Sequence, residues 1–165
     1  MFELAVTGFQ ISLWLHITAA VVGLGATFAE ALAFPVAMSL DPRHLPYVHR
    51  LQRSINQWLA SPALLVILVT GIYQVSDADL DFGDAWISLS FLIVFALGGI
   101  NGAYFIPTDR RLEAQVSEEI AAAGDGDVTL SDDYQRAARL EGIVGAVTGV
   151  LVVIAIYLMV VKPGA

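Results

Sequence analysis

The sequence predicts an all-α membrane protein, a bundle of four transmembrane helices with short helical extensions on the cytoplasmic side. Three observations point there. Of the 165 residues, 57% are hydrophobic and the mean hydropathy is +0.71, far more apolar than a soluble domain needs. Four apolar runs, at about 9–38, 57–75, 86–106 and 141–161, reach the roughly 20 residues that cross about 30 Å of hydrocarbon. Seven of the eight Lys and Arg residues gather in two of the three connections between those runs.

The first run follows Met1-Phe2-Glu3-Leu4, which lacks a basic start, and is longer than the apolar part of a cleaved signal peptide. It is expected to stay as a span. Arg43, Arg50 and Arg53 follow it, and Pro46 to Trp58 carries Tyr47, Val48, Leu51, Ile55 and Leu59 at helical spacing. That pattern predicts an amphipathic run-in to the second span, with His49, Arg50, Arg53 and Asn56 on its other faces and His44 and His49 toward lipid headgroups. The connection 76–85 holds four aspartates and no basic residue, with Asp84 placed to cap the third span. Residues 109–123 extend that span past Pro107 and stop at Gly124. Ser131, followed by Asp132 and Asp133, is an N-cap with acids at the positive end of the helix dipole, launching a long helix into the fourth span. Residues 1–165 thus read as one four-helix domain.

Lys and Arg near span ends mark the cytoplasmic side, so the connections holding Arg43, Arg50, Arg53 and Arg110, Arg111, Arg136, Arg139 lie inside and both termini outside. The expected location is the cell (inner) membrane. Trp14, Tyr73, Trp86 and Tyr157 fall at the outer interface and Tyr47, Trp58 and Tyr104 at the inner one, although each ring can also simply pack between helices. The absence of cysteine excludes disulfides, thiolate metal sites, iron–sulfur clusters and covalent haem attachment. A net charge of −8 argues against nucleic acid as a partner.

Small residues form stripes: Gly98 and Gly102 in the third span, Gly142, Gly145 and Gly149 in the fourth, and Ala19, Ala20, Gly23, Ala26, Thr27 and Ala33 in the first. Close backbone approach at such stripes is expected to hold the bundle together, with a neighbouring subunit as the alternative use. Ionisable groups inside spans raise a functional question. His16 and Glu30 share the small-residue face of the first span, 14 residues apart, which is about 21 Å along the axis and too far for one acid/base pair. His16 is either a haem or metal ligand or relay group, or an imidazole bonded to Thr70, Ser90 or Tyr157. Glu30 is either a proton or cation site, or a carboxyl bonded to Asn101 or Tyr104 or paired with Arg53. No metal site is expected: the outer aspartates read as a solvated turn, and Asp125 to Arg136 lacks the glycine and terminal glutamate of a calcium loop.

Leu13-Trp-Leu-His-Ile17, opening a span that continues into small residues, resembles the first helix of two bacterial membrane groups, the CopD copper-resistance domain and the HemJ protoporphyrinogen oxidases. It is also similar to an uncharacterised four-helix family, as is Arg53 to Ile72 with Pro62 early and Thr70-Gly71 late. The resemblance implies a haem position at His16; with no cysteine in the chain, Met159 or a neighbouring chain's His16 is the candidate for the other axial ligand of a haem b. Those oxidases also use a lysine on a later helix, and none lies inside spans two to four here. Copper binding would call on methionines, of which there are only Met1, Met38 and Met159. The leading expectation is therefore a small non-enzymatic membrane bundle without a cofactor, in the lipid bilayer as a homo-oligomer or subunit of a larger assembly. A b-type haem protein is the rival.

Overall fold

The computed structural model describes residues 7–164, so Met1–Leu4 lie outside the described residues. Among the described residues it is all-helical, with four helices long and apolar enough to span a membrane: α1 (Gly8–Met38), α2 (Pro42–Asp77), α3 (Ala85–Ala123) and α4 (Asp132–Val161). The helix ends follow local chemistry. Thr7 and Gln10 make a reciprocal capping box at α1, and Ser131 accepts from the Tyr134 amide at α4 with Asp132 and Asp133 in the first turn. Gly124, with φ +57°, closes α3 where a side chain would be strained. Asp84 stands at the start of α3, but its side chain makes no capping hydrogen bond.

Successive helices run antiparallel and pack on their neighbours, and the second half of α1 also meets α4. The extensions predicted from the basic connections are the continuous ends of α2, α3 and α4, and there α2 and α3 pack most closely. Outward faces of the spans are apolar: Val21, Leu32, Leu65, Leu92 and Val160 are all more than 60% exposed, a surface that suits lipid rather than water. Two apolar cores lie along the bundle axis. One, built on Ile67, Trp86, Ile87, Leu97, Val152 and Leu158, fills the apolar half; the other, built on Leu45, Leu112, Val116, Tyr134 and Ala138, fills the extensions.

Two expectations are corrected. The glycine stripes of α3 and α4 do not sit where helices touch: a Cβ built on Gly98, Gly102 or Gly145 meets nothing within 4 Å, and one on Gly149 only grazes Phe28. The close approach is instead at Gly23 of α1, where an added methyl would overlap that of Ala63 on α2. Small residues permit a close approach without requiring one. The amphipathic start of α2 is also turned inside out. Leu45, His49, Gln52 and Asn56, at helical spacing, are buried, while Tyr47 and Trp58 are 69% and 74% exposed. His49 therefore does not face headgroups. Leu45 and Val48 join the apolar core of the extensions while the Arg50 side chain is 70% exposed, so the buried stripe mixes apolar and polar residues that meet partners on α3 and α4.

Three of the four helices each contain one π-helical turn among the described residues: Ala20–Leu24 in α1, Asn56–Ala60 in α2 and Asn101–Phe105 in α3. In α2 and α3 the turn precedes a proline, Pro62 or Pro107, whose missing N–H breaks the regular ladder. The amides of Ser61 and Ile106 reach back five residues to the carbonyls of Asn56 and Asn101. The turn in α2 contacts those in both α1 and α3, so the irregular backbone gathers at one level of the bundle.

Candidate functional site

Between the two apolar cores, at the level of the π turns, all four helices contribute polar side chains to one cavity of about 230 Å³. Glu30 comes from α1, Gln52 and Asn56 from α2, Asn101 and Asp109 from α3, and Glu141 from α4. The π turns help to aim them. Asn101 Nδ2 donates across to the Asn56 carbonyl at 3.1 Å and to Ser61 Oγ at 2.9 Å, which joins the irregular turns of α2 and α3 and leaves the Asn101 amide oxygen without a partner.

Asp109 is fully buried and Glu141 is 5% exposed. Behind them lies His49, also fully buried, with Nδ1 3.3 Å from Asp109 Oδ1 and Nε2 2.7 Å from the Tyr134 hydroxyl. Phe34 and Tyr134 flank the imidazole, each with its ring centre 5.9 Å away. Ligand atoms of His49, Asp109 and Glu141 all fall within 4.8 Å of one another. Were both carboxylates ionised at that separation, their repulsion would be about 3 kcal/mol at an effective dielectric constant of about 20. The neighbouring arginines do not relieve it directly, since Arg50 and Arg53 both engage Glu113, at 2.8 and 2.6 Å.

The cavity wall is deficient in donors. Among the described residues, six buried side-chain polar atoms lack a hydrogen-bond partner, and five of them are oxygens of residues that line this cavity: Glu30 Oε1, Gln52 Oε1, Asn101 Oδ1, Asp109 Oδ2 and Glu141 Oε2. Each unsatisfied buried oxygen costs about 1–3 kcal/mol, so the group that fits here is positively charged or proton-donating.

The family described as a predicted integral membrane protein (DUF2269) matches residues 10–163, nearly the whole chain. The chain belongs to this family. No curated protein matches it, and no solved structure does.

Of the residues singled out in this family member's sequence, Glu30 and Asn101 come together in the cavity. Tyr104 does not line it and packs edge-on against Phe105. Glu30 is not paired with Arg53, whose partner is Glu113. His16 lies in a second polar layer nearer the other end of the bundle, its Nδ1 2.8 Å from Thr70 Oγ1. Ser12 and Gln74 complete that layer. The segment of α1 that carries His16 packs against α2, and Met159 lies near the end of α4. His49, Gln52, Asp109 and Glu141 were missed as a site. Their signal was the helical spacing of His49, Gln52 and Asn56 on one face of α2, opposite the apolar residues that drew the amphipathic reading.

Proposed function

We propose that this protein is a non-enzymatic cation-handling bundle of the cell membrane, which works through the acidic cavity and not through bond-making chemistry. The observation that carries the reading is the set of five unpartnered oxygens, three of them carboxylate, converging from four helices on one buried space. Such a lining favours a proton or metal cation over an anion or a neutral apolar ligand. The asymmetry of arginines supports placing the cavity end and its helical extensions at the cytoplasmic face, with both termini outside.

The test is thermal unfolding of the purified protein in detergent with Na+, K+, Mg2+, Ca2+ or Mn2+ at constant ionic strength. A cation present at about 100 times its Kd adds about 2.7 kcal/mol, a rise in Tm of roughly 5–10 °C for a chain of this size. The combined variant Glu30→Gln, Asp109→Asn, Glu141→Gln is expected to lose that rise. Equal responses from the variant and the wild type would remove the reading.

A second reading, b-type haem at His16, has one structural observation in its favour. Thr70 Oγ1 donates to the Val66 carbonyl at 2.6 Å, so it accepts from His16 Nδ1–H, and the imidazole presents an unprotonated Nε2. The other axial ligand would come from Met159 or from His16 of a second copy. Assembly with such a copy, or within a larger complex, is also favoured by the open glycine face at Gly98 and Gly102.

A further inference from the structure

We propose that His49, Asp109 and Glu141 form a binding site for a divalent first-row transition metal of the Mn2+ or Fe2+ type. This rests on the cation-handling reading and narrows it to one ligand class and one wall of the cavity.

Metal–ligand bonds of about 2.0–2.2 Å place neighbouring ligand atoms about 3–4 Å apart. His49 Nδ1 and Asp109 Oδ1 already stand at 3.3 Å, and all three residues offer atoms within 4.8 Å of one another, so small side-chain rotations close the set. A second observation points to the same place. Asp109 and Glu141 are 0% and 5% exposed and their carboxyls stand close enough to share a proton, yet Asp109 Oδ2 and Glu141 Oε2 accept from no N–H or hydroxyl of another residue. A divalent ion between them would turn the repulsion of two carboxylates into attraction and occupy both lone oxygens.

The donor set selects the metal class. One imidazole and two carboxylates, with the Gln52 and Asn101 amide oxygens nearby, are mostly hard donors. No thiolate is available, which disfavours Cu+. The imidazole favours a first-row transition ion over Ca2+ or Mg2+, which take oxygen ligands. Tyr134 is a positioning residue. Capture at Nδ1 requires the ring proton on Nε2, and the Tyr134 oxygen, 2.7 Å away, is placed to accept it, which fixes the tautomer and the ring plane. The three ligands come from α2, α3 and α4, so the bound ion would tie three helices together.

Mn2+ is the probe, added to metal-free full-length protein in detergent and followed by electron paramagnetic resonance. Saturable binding is expected, with nitrogen coupling from one directly bound imidazole. His49→Gln should abolish that coupling and weaken binding by more than about 100-fold; Tyr134→Phe should weaken it about 10-fold. Asp109→Asn and Glu141→Gln should behave as His49→Gln does, while His44→Ala binds like the wild type. If the variants fail to fold, the nitrogen coupling in the wild type still decides. Absence of saturable Mn2+ binding, or binding without nitrogen coupling, would overturn the metal site. The cation-handling reading would stand if the carboxylate-dependent thermal shift with other ions persisted, so the two failures are separable.

Discussion

At the scale of single residues, the same side-chain type has two fates in this chain. His16 is half-buried in the apolar half and bonded to Thr70, as one of its two sequence readings held. His49, in a connection rich in arginine, is wholly enclosed. Periodicity placed His49 opposite the apolar stripe correctly, but which stripe faces inward depends on the partners that other helices present, here Asp109 and Tyr134. Asp109 and Glu141 gave no local signal, because a charged residue near a span end reads as interfacial until its neighbours in space are known. For His16 the haem reading makes a sharp prediction. Protein produced with ample haem should show a Soret band in a reduced-minus-oxidised spectrum, and His16→Ala should abolish it. A colourless wild type removes the haem reading, and a band that survives His16→Ala removes the ligand assignment.

At the scale of the helix, the ends were legible because they depend on local chemistry: the Ser131 cap, the Gly124 stop and the continuation of α3 past Pro107 all follow from adjacent residues. The π turns were not foreseen, although both Asn56 and Asn101 precede a proline by six residues. That shared spacing accompanies a backbone irregularity that the proline permits and the asparagine carbonyl closes, although Pro35 sits in regular helix. The contact between α1 and α2 at Gly23 yields a packing prediction. Gly23→Leu forces a branched side chain into Ala63 and should destabilise the protein by about 1–3 kcal/mol. Gly102→Leu, projecting into open space, should stay within about 0.5 kcal/mol. Denaturation in detergent measures both, and equal losses would show that the α3 glycines are tightly packed after all.

At the scale of the whole molecule, the bundle has two polar layers, around His16 and around Glu30, with apolar core beyond each of them, and the larger layer lies where all four helices meet. The separation of His16 and Glu30 into different layers was legible from their spacing alone. That the second layer would recruit Asp109 and Glu141 was not, since only the antiparallel return of α3 and α4 brings those distant residues back to Glu30. Orientation makes the last prediction. With Ala78→Cys in the acidic turn and Asp127→Cys in the turn after Gly124, an impermeant thiol reagent applied to intact cells should label only the first. The reverse pattern would invert the protein and put the cavity at the outer face.

The origin of the polar layer on four separate helices, three of which carry its acids, also governs how the protein is born. Glu30 emerges from the ribosome early, on a helix that must enter lipid while Asp109 and Glu141 are still unsynthesised. A carboxyl about two-thirds of the way along a lone span enters lipid at a cost until partners reach it. The first helix is therefore an incomplete solution to the membrane until the fourth arrives.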